Sequence, residues 1–370
     1  MNNRSILQKW QWADGRGKRI AVTACILAAT WTMTACSNAN DGSPSSDTSA
    51  STRSTATEQS GQEEAAMQNQ PSNAQDQNEQ AQPTTLQPQH IPTALLQGDT
   101  KTVYAQLTPE FQKLLTEQQL ADTVQASLQH IQSFHMLGKG IELNHHTQYS
   151  WLDSTGKLGL IAVLDQQNRI AGLQMQPVES FPTTDAKRTD TVYRLPFQGD
   201  WFVFWGGSNV LQNYHYAVES QRYAYDFIQV KDGMSYSGDA TINRSYYAFG
   251  QPALSPADGT VVAVVNDIVD NEPVGKMNPA QPAGNHVVIR SGSEYSLLGH
   301  LQKGSVTVKK GDTVQAGQII GKVGNSGNSS EAHLHVQVAD HPDLAKGKSI
   351  PIHWQGDIQP TRGQTVNSNQ

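Results

Sequence analysis

The chain is nearly free of cysteine. Among 370 residues only Cys25 and Cys36 are present, both near the N-terminus. The body therefore has neither a disulfide nor a thiolate metal site, and a metal there must be held by imidazoles and carboxylates. Positive charge is also scarce: 26 Lys and Arg stand against 33 Asp and Glu, a formal net charge of −7. That excludes nucleic acid as the main partner, because phosphate binding needs a basic footprint. Apolar residues make up 36%, below the usual share of about 45–50%. The deficit is concentrated in residues 37–90, almost all Ser, Thr, Asn, Gln, Ala, Asp, Glu, Gly and Pro. Such a stretch buries too little apolar surface to offset the entropy of ordering it. The apolar run at 20–35 is shorter than the ~20 residues of a comfortable membrane span.

What is present at the N-terminus reads as an address. Arg4, Lys9, Arg16, Lys18 and Arg19 precede the apolar run, and the small residues Thr34 and Ala35 follow it. This is a secretory signal pattern over residues 1–35. Met33-Thr34-Ala35-Cys36 resembles a bacterial lipobox. That resemblance implies an exported protein, lipidated at Cys36 and anchored at the outer face of the cell membrane. The other reading is a plain signal peptide with an incidental cysteine. With a lipid on Cys36, residues 36–90 form a tether. A flexible chain of that length spans roughly 40 Å, and about 180 Å at full extension.

Ordered patterning begins near Ile91. Thr108-Pro109-Glu110 places a cap residue before a proline at the first helical position. Thr116 precedes a second helix whose Leu120, Val124, Leu128 and Ile131 form one apolar stripe. Residues 157–165 and 169–176 read as strands joined by a short polar turn. Helices followed by antiparallel strands predict a small α+β domain over 91–180. With the phrase Ile170-Ala171-Gly172-Leu173, this region resembles the cone-shaped nuclear-transport-factor-like domains, which implies no chemistry. Its histidine pair, His145-His146, has no third ligand at metal spacing and reads as a surface turn. Residues 181–192 are a polar linker. From Tyr193 to about 354, short Val/Ile/Tyr/Phe runs alternate with Gly, Asn, Asp and Pro, which predicts an all-β domain. Asp258-Gly259 predicts a hairpin, and strands fit 286–290, 295–299, 318–323 and 333–338. Residues 355–370 read as a loose polar tail.

The informative residues are histidines. In His333-Leu334-His335, strand geometry sends both imidazoles to one side and Leu334 to the other. Two histidines on one face suit a metal ligand beside a base. The Gly-rich loop 324–330 precedes them, and His300 stands at a strand end in Leu298-Gly299-His300-Leu301. Together with Asp226, the sequence GNSGNSSEAHLH at 324–335 and the phrases SPADGTVV, GNHVVI and KKGDTVQAGQIIGKVG resemble the zinc endopeptidases of the lysostaphin and LytM type. The resemblance covers about 210–340. It implies a barrel-sandwich-like peptidase domain, zinc as cofactor, and the peptide crosslinks of bacterial peptidoglycan as substrate. Ala332 and Val336 depart slightly from the family pattern, where Pro and Phe are usual.

A larger departure is Arg222, which stands where the family has its first metal-binding histidine and has no lone pair to give. The nearest upstream histidine, His215, takes that role on the resemblance, on a strand neighbouring that of Asp226. His286 is the competitor. The resemblance then implies His215, Asp226 and His335 as zinc ligands, His333 as general base or acid, and His300 as the group that steadies the oxyanion. Tyr223 and Tyr225 alternate with Asp226 and face away from the metal. The alternative function is a degenerate family member that binds peptidoglycan or activates another wall hydrolase, and Arg222 is the feature that favours it. The phrase at 309–324 is also similar to biotinyl and lipoyl carriers, but no Met-Lys pair occupies the matching place.

Overall fold

The computed structural model describes residues 85–343 and 345–368. The signal segment, Cys36 and most of the tether lie outside these residues.

Residues 91–177 form four helices and a five-stranded antiparallel sheet. The helices are α1 (Ile91–Leu96), α2 (Thr100–Ala105), α3 (Pro109–Gln112) and α4 (Glu117–Leu128). The caps are those the sequence signals: Thr108 accepts from the Phe111 N–H, and Thr116 forms a reciprocal capping box with Gln119. The strands are β1 (Phe134–Met136), β2 (Ile141–Leu143), β3 (His146–Asp153), β4 (Leu158–Asp165) and β5 (Ile170–Pro177). Leu120, Val124 and Leu128 bury the apolar stripe of α4 in a core shared with Trp151, Leu160 and Leu173. His145 lies in the turn between β2 and β3, where it and Asn144 adopt φ of 63° and 50°. The turn is a left-handed one of the kind that Asn tolerates.

A short helix α5 (Pro182–Asp185) lies in the segment leading onward. The next strands are β6 (Val192–Tyr193), β7 (Asp200–Trp205), β8 (Tyr225–Ile228), β9 (Pro252–Leu254), β10 (Gly259–Val265) and β11 (Asn285–Ser291). They are followed by β12 (Glu294–Leu301), β13 (Thr313–Val314), β14 (Ile319–Lys322), β15 (Leu334–Ala339), β16 (His353–Trp354) and β17 (Thr365–Asn367). Eight of these pair in the order β13-β10-β11-β12-β15-β8-β7-β17, while β14 pairs with β9 and β16 with β6. The core lies on one side of the large sheet, where Val287, Leu298 and Val336 meet Ala253 and Ile320 of the small one.

Three expectations change. Among the described residues the large sheet does not close into a barrel; β13 and β17 are its two ends. Asp258-Gly259 does not make a hairpin. The strands on either side belong to different sheets, β9 pairing with β14 and β10 with β11 and β13. The tail is not loose: β17 pairs antiparallel with β7, and Val366 is buried in the core.

The two sheets meet at the β2–β3 turn. Leu143 packs with Phe202 and Ile228 in a separate small cluster. The Asn144 side chain accepts the Ser235 N–H at 2.8 Å and donates to the Ser235 hydroxyl at 3.0 Å.

Candidate metal centre

The central strands of the large sheet build the site. In β15, Leu334, Val336 and Val338 enter the core, so His335 and Gln337 take the opposite face. Register then decides the neighbours. His335 lies directly across from Asp226 of β8 on one side and Gly299 of β12 on the other. The Asp226 carboxylate reaches His335 Nδ1 at 2.9 Å through one oxygen and His215 Nε2 at 3.0 Å through the other. Donor atoms of His215, Asp226 and His335 all lie within 4.8 Å of one another, and all three residues are buried.

His215 is not on a strand, as expected, but on a one-turn 3-10 segment, Tyr214–Ala217. Asn213 places that turn. Its side chain accepts the His215 N–H and donates to the Ala224 carbonyl two residues before Asp226. Eleven residues of separation thus close into contact. His286 is outside this cluster; its Nδ1 lies 2.8 Å from the Gly284 carbonyl, a hydrogen-bonded strand residue.

Each histidine of the ligand set has an outer partner that aims it. His215 Nδ1 lies 2.9 Å from Gln221 Oε1, leaving Nε2 for the centre. His335 Nε2 lies 3.0 Å from Gln337 Oε1, leaving Nδ1. Such outer partners fix the ring tautomer. Sequence reading missed both glutamines. Gln337 was discoverable, since it shares the His335 face by alternation; Gln221 carries no such signal.

His300 and His333 complete the group, their rings 4.6 Å apart. His333 stands immediately before β15 and its Nε2 is 3.6 Å from Asp226. Its Nδ1 lies 2.8 Å from the Glu331 carbonyl, and His300 Nδ1 lies 2.8 Å from the Ser326 carbonyl. A carbonyl only accepts, so both rings carry their proton on Nδ1 and keep a free lone pair on Nε2. His300 has φ 58°, held by its N–H on the Ala283 carbonyl at 2.9 Å. The Gly-rich loop 324–330 packs tightly against the same segment: a Cβ on Gly327 (φ 82°) would sit 2.4 Å from the Gly284 nitrogen.

Electrostatics follow from burial. Burial opposes charge on Asp226, but His215, His333 and hydrogen bonds from His215 and His335 outweigh it and hold the carboxyl well below its usual range. Burial, reinforced by His333 and His335, pushes His300 well below the ordinary imidazole value. Burial also lowers His333. His335 rises: burial opposes it, but the hydrogen bond to Asp226 wins. The centre thus pairs an anionic carboxylate with buried imidazoles, a donor set of nitrogen and oxygen that suits zinc in a three-ligand, open-position site.

Arg222 has a packing role. Its guanidinium stacks on Phe181, and its Nε donates to the Tyr216 carbonyl. Tyr223 and Tyr225 face away from the centre as expected. Tyr223 donates to Asp185, and Tyr225 packs on Phe227.

Residues 245–350 match Peptidase family M23. That segment contains His300, His333 and His335, while His215 and Asp226 precede it. Over 105 residues the chain is 35% identical to the peptidoglycan DD-endopeptidase ShyA of Vibrio cholerae, covering 28% of this chain and 21% of that protein. Over 89 residues it is 38% identical to an uncharacterized metalloprotease of Haemophilus influenzae, covering 24% and 16%. The chain thus spans between about a sixth and a fifth of the length of these curated relatives. Among solved structures, it is similar to the catalytic domain of lysostaphin from Staphylococcus simulans, with 22% identity, a TM-score of 0.22, and coverage of 34% of this chain and 74% of that one.

Proposed function

We propose that the chain is a zinc endopeptidase that hydrolyses peptide crosslinks of bacterial peptidoglycan. The observation that carries the reading is the convergence of His215, Asp226 and His335 beside two histidines with free Nε2 lone pairs. The family match over 245–350 and the likeness to a peptidoglycan endopeptidase supply the reaction class.

His215, Asp226 and His335 would hold the zinc. When bound, it polarises the scissile carbonyl and makes water acidic enough, with a pKa near ~7, to attack at neutral pH. His333 Nε2 takes the proton of the attacking water and returns it to the leaving amine. Asp226, 3.6 Å from that nitrogen, steadies the imidazolium that forms. His300 cannot donate from Nε2 while neutral, because its one proton is committed to the Ser326 carbonyl. Only in its imidazolium form could it donate to the oxyanion.

The same reading takes the protein as exported and lipid-anchored at Cys36. Residues 36–90 act as a tether, and a nuclear-transport-factor-like unit over 91–180 positions the peptidase region. The rival reading, a degenerate binding protein, drew its support from Arg222, and the contacts of Arg222 with Phe181 and Tyr216 account for that residue without it.

The test is digestion of purified peptidoglycan by the full chain, with product masses read by mass spectrometry. A His335→Ala protein and a chelator-treated sample run beside it. New amine termini, absent in both controls, support the reading. No products from a zinc-containing sample overturn it.

A further inference from the structure

The proposed reaction uses the main chain of Glu331, which orients His333, but leaves its side chain without a task. That side chain is unusual. Its Oε1 is buried with no hydrogen-bond partner. The Ser235 hydroxyl hydrogen-bonds the carboxyl, and burial pushes it up to about 7. Ser235 is itself held by Asn144 at the β2–β3 turn. The carboxyl is therefore fixed on one side and unsatisfied on the other. A buried acceptor without a donor costs free energy that an incoming donor recovers.

Glu331 also lines a cavity of about 290 Å³. Leu143 and Asn144 come to it from the β2–β3 turn, Phe204 from β7, and Val274 from the long loop after β10. Its walls are largely apolar, and Glu331 is its one acid. Tyr246, whose hydroxyl is spent on the Ala240 carbonyl, and the exposed Lys276 are the other titratable groups at its walls. The volume lies at the lower end of the ~300–1,000 Å³ of small-molecule sites, room for one side chain rather than a length of peptide. Its floor is joined to the reaction centre, since the Glu331 carbonyl holds His333 Nδ1 at 2.8 Å.

We infer that this cavity is a substrate subsite for a primary ammonium group at the end of an amino-acid side chain of the wall peptide, with Glu331 as its acceptor. The inference rests on the proposed reading of the reaction. Apolar walls suit a methylene stem, and the carboxyl suits the charged tip. A neutral amide would fill the missing hydrogen bond but would leave the carboxylate charge unpaired. The subsite needs both parts of the chain, because Leu143 and Asn144 are among the residues that line it.

The test compares native peptidoglycan with the same material after acetylation of its free amines. The zinc-loaded full chain, Glu331→Gln and Val274→Phe are each assayed for initial rate and for sedimentation with the insoluble polymer. Val274→Phe fills the cavity from another lining residue and leaves the Glu331 side chain in place. Acetylation is expected to lower wild-type kcat/KM about tenfold or more, through KM. Both variants should start at that lower level on native material and lose nothing further on acetylation. Retained activity on acetylated polymer shows that they are folded. An acetylation effect of equal size in wild type and Glu331→Gln overturns the inference, as does no effect in wild type. Digestion with no amine preference sinks the subsite alone. Absence of digestion sinks the hydrolase reading, and sedimentation still reports whether the amine is recognised.

Discussion

The Arg222 guanidinium lies 3.4 Å from the centre of the Phe181 ring. This contact ties the segment between the two sheets to the loop that carries His215. Arg222 Nε also donates to the Tyr216 carbonyl at 3.1 Å, while Tyr216 and Tyr223 donate to Asp185 at 2.8 and 2.7 Å. The residue is 8% exposed, so the stacking is largely desolvated. Arg222→Ala should destabilise the protein by about 1–3 kcal/mol in urea titration and leave the zinc content of the folded protein intact. Arg222→Lys should recover little, since an ammonium does not stack as a planar guanidinium does. Loss of zinc without loss of stability would contradict the packing role.

On the proposed reading, the zinc ligands and the proton-handling His333 separate cleanly by measurement. Asp226→Ala and His335→Ala remove donors from the centre and should abolish stoichiometric zinc. His333→Ala removes no ligand. It should keep zinc while lowering kcat by about 10²–10⁴-fold, the usual worth of a positioned acid or base. Metal analysis beside peptidoglycan turnover distinguishes the two classes. A zinc-free His333→Ala protein would make that residue a ligand instead.

Much of the centre was legible because it is local. His333 and His335 follow strand alternation, and Leu334 is in the core as the pattern requires. What joins the site is register between strands far apart in the chain: His335 and Asp226 are 109 residues apart. Pairing of that kind is decided by the whole sheet and leaves no mark in a short window. His215 reached the centre on a 3-10 turn fixed by Asn213, and no periodicity announces such a turn. The tail hid its strand for a related reason. Val366 is the sole apolar residue of Thr365–Asn367, too short an alternation to read. The Asn144–Ser235 pairing spans 91 residues and was equally invisible.

Acid should weaken the N-terminal sheet through Asp153. Burial raises its pKa, but the Thr155 hydroxyl and the N–H groups of Leu158, Thr155 and Lys157 bond the carboxylate and together hold it below the usual value. A carboxyl depressed in the folded state adds stability that is present above the unfolded pKa of ~3.9. That stability is lost as the pH falls through the lower folded value. Asp153→Asn should therefore cost stability at pH 7 and flatten the loss between pH 5 and the acid limit. Thermal unfolding of both proteins across that range checks it, and parallel curves would remove Asp153 as the cause.

Leu143 couples the two sheets. It is 4% exposed and packs with Phe202 and Ile228, on β7 and β8, while the next residue, Asn144, holds Ser235. Truncating a buried leucine leaves a cavity that neighbours only partly close, at a cost of about 2–5 kcal/mol. Leu143→Ala should fall in that range by urea titration. The loss has a location as well as a size. Amides of β2 and β3 should exchange faster with solvent, and so should Ser235, whose N–H is bonded to Asn144. The Asp226–His335 strand pairing lies deeper in the sheet, between β8 and β15, and should keep its protection. A variant that loosened only the first sheet, with Ser235 still protected, would show that the cluster does not carry the coupling. Accelerated exchange at Ser235 would place the β2–β3 turn in mechanical contact with the segment that bonds Glu331.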